Sequence, residues 1–454
     1  MTRAQKSVLL VAIITSFMGP FLISSVNIAL PIIEKQLQLN AVSLSWVITS
    51  FLLSSGIFLL PAGKWADFLG HKKIFKAGTV LFLVFTLLCS FSTNGNILII
   101  VRFIQGIGAS LLMATSPAIL VREFPKEKRG AVLGITVAAV YVGLAVGPTA
   151  GGFITFYWGW QAIFLLSSLI GLVVMIVAFK YLGSDKLQSD KKSLDYKGAI
   201  IYAIGLSALV YGSSVIKEYS GQIIVLSGIV LMFLFIWQQS KSSDAFFPVK
   251  EFKINRLFTY SNLAALINYS ATFAIVFLMS LFLQKALDLN PRTAGSILIA
   301  QPIVMAVLSP IAGKLSDKYE PRYLASAGMF ICSLGLGLFA TLNENSSLYF
   351  IIINLAFIGL GFALFSSPNM NTIMSSVSKE KAGMASGISA TMRVLGQILS
   401  MTIATALFAV YFDKKSIDTI DINTFVKGMK ILFLIFSLLC FSGIYFSLNR
   451  GKLY

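Results

Sequence analysis

Gly63-Lys64-Trp65-Ala66-Asp67-Phe68-Leu69-Gly70-His71-Lys72-Lys73 interrupts a long apolar run, and 250 residues later Gly313-Lys314-Leu315-Ser316-Asp317 repeats its opening. A second pair follows at nearly the same offset. Lys126-Glu127-Lys128-Arg129-Gly130, with Gly134-Ile135 beyond it, returns as Lys379-Glu380-Lys381-Ala382-Gly383 with Gly387-Ile388. Between the members of each pair the sequence is almost wholly apolar. A duplicated membrane unit lets two similar bundles rock about a shared central site, the arrangement of a transporter.

Of 454 residues, 57% are hydrophobic and 12% charged, and the mean hydropathy is +0.84. Stretches of about 20 apolar residues, the length that carries a helix across a bilayer core, recur along the chain. A barrel would instead alternate every second residue, and no such alternation is seen. The fold class expected is an all-α polytopic membrane protein. The formal net charge of +18 does not make it a nucleic-acid binder, because the basic residues are dealt out among short loops. Cys89, Cys332 and Cys440 all fall within apolar stretches, as buried thiols do, and the single histidine, His71, reads as a solvated loop residue. Neither points to a metal or a cofactor. The opening apolar run continues to about Ile33, too long for a signal core, and is read as the first span.

Fourteen spans are expected, from 8–33 through 44–62, 75–93 and onward to 428–448. An even number puts both termini on one side. Lysine and arginine concentrate in alternate loops, and the positive-inside rule makes that side the cytoplasm. The segment 412–427 fits least well, since Lys414, Lys415 and Lys427 fall on the outer side, diluted by Asp413, Asp418 and Asp421. The repeat divides the chain into a six-helix unit over 1–183, a linker with two inserted transmembrane helices over 184–257, and a second six-helix unit over 258–454.

Three motifs carry more than length. The loop quoted first is a tight turn that lets two helix ends approach, with Asp67 placed to cap a helix start. The fourth span reads Val101-Arg102-Phe103-Ile104-Gln105-Gly106-Ile107-Gly108. An arginine inside a membrane helix is costly unless it meets a cavity or a partner, or snorkels to the interface about a turn away. Gln105 shares its face. In the fifth span Gly143, Gly147 and Gly151 recur every fourth residue beside Pro148 and Gly152. That spacing makes a smooth face where another backbone packs closely, with Pro148 bending the helix.

These three stretches resemble the signatures of the major facilitator superfamily, and the count of fourteen spans resembles its drug:proton antiporter branch. The resemblance implies two six-helix bundles about a central cavity that opens to each side in turn. It implies that Gly63, Asp67, Gly70, Lys72 and Lys73, with Gly313, Asp317 and Arg322, form gating loops, and that the glycine motif belongs to an antiporter. It implies a part in substrate binding or proton coupling for Arg102, and Arg393 in the thirteenth span lies in a stretch similar to the family's. One departure stands out. Where the branch begins Asp-x-Thr-Ile-Val-Asn-x-Ala-Leu-Pro, this chain has Leu22-Ile23-Ser24-Ser25-Val26-Asn27-Ile28-Ala29-Leu30-Pro31, so the aspartate position is Leu22.

No Asp or Glu lies deep in a predicted span, and Glu34 stands at the outer end of the first. Proton coupling through a desolvated carboxyl would fall to such an end acid, or be absent. The expected lining is Ser24, Asn27, Tyr141, Asn268, Tyr269, Gln301, Asn354 and Gln397, with Arg102, Gln105 and Arg393 as candidate cargo contacts. A cavity without acids favours uncharged, lipophilic or anionic cargo over dications. The function expected is efflux of hydrophobic or amphipathic small molecules by alternating access. The alternative is uptake or facilitated transport of an anionic or lipid-like metabolite anchored by Arg102. An enzyme is not expected, because one histidine and scattered carboxylates form no catalytic constellation. The partners expected are the bilayer, a small molecule and possible protons, in the cytoplasmic membrane.

Overall fold

The computed structural model describes residues 1–183, 185, 195–242, 244–378, 381–412 and 415–453. Residues 184, 186–194 and 243 of the expected 184–257 linker, Lys379 and Glu380 of the second repeat, and Asp413 and Lys414 lie outside the described residues. The rest is helix and short turn, with no strand among the described residues.

The first half holds α1 (Arg3–Leu37), α2 (Ala41–Leu69), α3 (His71–Ser90), α4 (Gly95–Glu123), α5 (Lys126–Trp158) and α6 (Gln161–Tyr181). The inserted pair is α7 (Tyr196–Ser214) and α8 (Tyr219–Lys241), followed by the short α9 (Val249–Ile254). The second half holds α10 (Arg256–Thr272), α11 (Ala274–Leu281) with a π-helical turn at Phe282–Ala286, α12 (Pro291–Leu298), α13 (Ala300–Ser316), α14 (Pro321–Phe339), α15 (Leu348–Ser375), α16 (Ala382–Tyr411) and α17 (Ile422–Asn449). With α10–α11 and α12–α13 each read as one broken crossing, the described residues form fourteen long helical segments. Among the described residues thirteen are long and apolar enough to cross a membrane; α7, with Lys197 and many Gly, Ser and Tyr residues, is not among them.

Both breaks have local causes. Pro302 has no N–H for the carbonyl of Leu298, and the helix hesitates at Ile299. At Phe273 the N–H of Ala274 donates to Ser400 Oγ at 3.1 Å, a side chain from α16 entering the ladder.

Helices overrun the expected spans, most at the loop over Gly63–Lys73. The expected gap between 62 and 75 closes to one residue, because α2 runs to Leu69 and α3 starts at His71. Gly63 is therefore inside a helix. Gly70 alone makes the turn, at φ +102°, a backbone that other residues rarely adopt.

The two halves meet along two seams, α2 against α16 and α5 against α12 and α13. The loop between α16 and α17 touches the end of α1, so the start of α1 and the end of α17 both lie at the opposite face. We call that the terminal face and the other the far face.

Candidate functional site

At the far face the halves are sealed by backbone approach and hydrogen bonds. A Cβ on Gly152 would collide with the carbonyl of Pro291, and one on Gly295 with the carbonyl of Pro148. Thr149 Oγ1 donates to the Gly295 carbonyl at 3.3 Å, and Arg292 donates to Tyr157 Oη at 3.0 Å with its guanidinium over Phe153. On the other seam the Ala41 N–H donates to the Lys415 carbonyl at 3.0 Å and Thr405 Oγ1 to Ser45 Oγ at 2.8 Å. Gln284 Nε2 bridges to the Ile28 carbonyl at 2.9 Å. Towards the terminal face Gly63, Gly130, Gly134, Gly383 and Gly387 have open space where a Cβ would stand.

The glycine motif thus has two faces. Gly143, Gly147 and Gly151 bring α5 against α1, where added Cβ atoms would come within 2.5 Å of the Phe17 carbonyl, 2.5 Å of Ser24 Cβ and 2.6 Å of Ser25 Cα. Pro148 and Gly152 turn to the other half. The carbonyl of Leu144, which Pro148 leaves without its helical N–H, accepts from Ser24 Oγ at 3.3 Å, and the Gly147 carbonyl accepts from Ser25 Oγ at 2.9 Å. Ser24 thus takes up the carbonyl that Pro148 frees.

At mid-depth Tyr141 Oη meets Ser366 Oγ at 3.1 Å across the halves. Arg393 on α16 and Tyr269 on α10 both lie close enough to Tyr141 to act on it electrostatically. Tyr269 packs its ring edge-to-face on Phe362, with centroids 5.5 Å apart, and its Cβ fits against Gly396. Arg393 and Gln397, one turn apart, are half-buried. Tyr141, Tyr269 and Arg393 are therefore brought together, with Ser366, which composition gave no reason to single out.

Arg102 is placed elsewhere. It is fully buried within the first half, neither in the seam nor at a lipid interface. Its Nε donates to the Val47 carbonyl at 3.1 Å and its Nη1 to Gln105 Oε1 at 2.8 Å, and Gln105 passes the chain on to Thr86 Oγ1 at 2.7 Å. The guanidinium lies 4.5 Å from the Phe51 ring centre and 5.9 Å from that of Phe164. Carbonyl and ring faces take the place of a counter-ion. Arg102 and Gln105 staple α2, α3 and α4.

Asn354 donates to the Gly335 carbonyl at 2.8 Å and Asn268 reaches Cys440 Sγ at 3.9 Å, both inside the second half. Asn27 and Gln301 are buried, each with a side-chain oxygen that finds no partner. All three cysteines are buried free thiols.

The two repeated loops are pinned by the chain that leaves each half. Asp185, just past α6, accepts from the N–H groups of Lys72 at 2.9 Å and Lys73 at 3.1 Å, and any Cβ on Gly70 would strike its carboxylate. Asp185, not Asp67, caps α3. Asp67 instead meets His71 Nε2 at 3.0 Å, and that histidine is buried rather than solvated. Lys72 pairs with Glu123 at 2.6 Å. In the second half the polarity is reversed, since the N–H of Leu453, just past α17, donates to Glu320 Oε1 at 2.6 Å. Arg322 stacks on Tyr323 and lies 3.8 Å from Glu320, while Gly313 sits within α13 and Asp317 at its exposed end. Beside them Arg450 donates to Asn369 Oδ1 at 2.7 Å. Burial pushes its guanidinium down to about 10, with Glu320 opposing the shift, so it stays charged at neutral pH.

The sequence profile of the Major Facilitator Superfamily matches residues 12–260 and again 261–452. The chain belongs to that superfamily. It is 32% identical to the riboflavin transporter RibZ of Clostridioides difficile, over 90% of this chain and 88% of that protein. It is 28% identical to the multidrug resistance protein Stp of Mycobacterium tuberculosis, over 90% of this chain and 77% of that protein. Among solved structures it superposes on a bacterial homolog of the human lysosomal transporter Spinster with TM-score 0.73, at 14% identity, over 99% of this chain and 97% of the other. It is a multi-pass membrane transporter and not an enzyme.

Proposed function

We propose that this transporter exports uncharged or anionic amphipathic small molecules from the cytoplasm by alternating access. The termini face the cytoplasm in this reading, as the positive-inside rule expects, which puts the sealed far face on the outer side. The observation that carries it is the mid-depth cluster of Tyr141, Ser366, Tyr269 and Arg393, in which two halves contribute aromatic rings, a hydroxyl and a guanidinium. Two rings offer stacking to a planar solute, and the cation tolerates or attracts negative charge while repelling cations. The resemblance to Stp supports export, and coupling to protons is left to the flux assay.

The likeness to the riboflavin transporter RibZ favours a second reading, transport of a planar metabolite, inward as in the uptake alternative, with Arg393 rather than Arg102 as its contact. Both are tested on purified protein reconstituted into liposomes and offered riboflavin, neutral and anionic lipophilic dyes, and a dicationic dye. Transport of the dication alone, or of nothing, overturns the cargo assignment. Flux that follows an imposed pH gradient marks proton coupling, and the sign of the vectorial flux separates export from uptake.

A further inference from the structure

Glu34 sits in the last turn of α1, and only 4% of its surface is exposed. Its Oε1 accepts three hydrogen bonds: from Ser416 Oγ at 2.6 Å, the Ile417 N–H at 2.5 Å and the Asp418 N–H at 3.3 Å. Every one of these donors belongs to the α16–α17 loop of the other half. That loop is braced in turn, since Lys285 Nζ donates to the Asp418 carbonyl at 2.6 Å and the Lys415 carbonyl accepts from the N–H at the start of α2.

We propose that Glu34 is the positioning residue that holds the far side of the transporter shut, and that it sets the balance between the two access states. A buried carboxylate is tolerated only while its oxygens are satisfied, and bonds to an ionised acceptor are the strong ones. When the halves part at the far face, Glu34 loses its three donors in one step. A contact present in only one of two states shifts their ratio by its full differential strength. The other bonds named across the far face go singly to carbonyl or hydroxyl acceptors, whereas Glu34 gathers three donors on one carboxylate oxygen. The inference adds to the alternating-access reading but does not depend on which cargo is carried.

The test measures the state directly. Spin labels at Thr93→Cys and Glu344→Cys, exposed far-face loop positions in opposite halves, report the opening in lipid nanodiscs by pulsed electron resonance distances. The three native thiols are buried and stay unlabelled. Wild type should give mainly the short distance. Glu34→Ala should raise the ratio of long to short distances about 10-fold, with smaller shifts in the same direction for Glu34→Gln and Ser416→Ala. Distance distributions that overlay wild type in folded Glu34→Ala and Glu34→Gln overturn the proposal. If Glu34→Ala does not fold, an unshifted Ser416→Ala overturns it, and a shifted one supports it. A failed cargo reading would leave the distance shifts intact, because no solute is needed to see them.

Discussion

Arg102 and Arg393 show how much a residue's meaning depends on its neighbours. Both are arginines inside apolar helices, and from sequence each could be a cargo contact or a structural cation. The structure separates them by three dimensions that the sequence does not carry: Val47, Gln105 and two rings enclose Arg102, while Arg393 stands half-buried near Tyr141 of the opposite half. Arg102→Lys should lower the melting temperature of the detergent-solubilised protein, through a loss of about 1–3 kcal/mol, because one ammonium cannot replace the forked donors. Its KM for any transported solute should stay near wild type, and a raised KM with unchanged melting would count against the staple. Arg393→Gln should weaken transport of an anionic dye at least about 10-fold more than that of a neutral one, as lost charge-assisted contact requires. Equal losses for both dyes would remove charge from Arg393's part. Asp185 was not legible at all, since an acid in a polar linker has no pattern to mark it, and only its place under Lys72 and Lys73 reveals the cap.

At the scale of helices, the existence of each segment followed from apolar length, and the ends did not. Trp65, Ala66, Phe68 and Leu69 extend α2 beyond its lipid-length stretch because nothing in them stops a helix before Gly70. The four-residue glycine spacing in α5 was legible as a packing face, but not that Gly152 and Pro148 turn to a different partner than Gly143 and Gly147. This division predicts different outcomes for one kind of substitution. Gly147→Ala pushes α5 away from α1 within a half and should cost stability, about 1–3 kcal/mol by overpacking, in a thermal scan. Gly152→Ala presses only on the seam with α12. It should leave the melting temperature nearly unchanged and favour the form open at the far face, seen as faster labelling of a far-face seam cysteine at Thr149. Slower labelling would contradict the assigned seam.

For the whole molecule, the duplication carried the expectation of paired bundles, because two copies of one loop at a fixed offset leave few ways to arrange the helices between them. The number of crossings was less secure. The α7 segment is a well-formed helix whose glycines, serines and tyrosines make it a poor match to lipid, and it is held by protein on one side instead. Tyr202 on α7 donates to the Gly56 carbonyl of α2 at 3.1 Å, and Gly56 in turn faces Ile398 of α16 and Leu206 of α7. Thus α7 lies over the α2–α16 seam like a batten over a joint. Among the described residues no helix covers the α5–α13 seam in this way. A solute dissolved in the bilayer and entering sideways would then find one doorway rather than the two that twofold pseudosymmetry would offer, and membrane-borne cargo would approach the protein from a single flank.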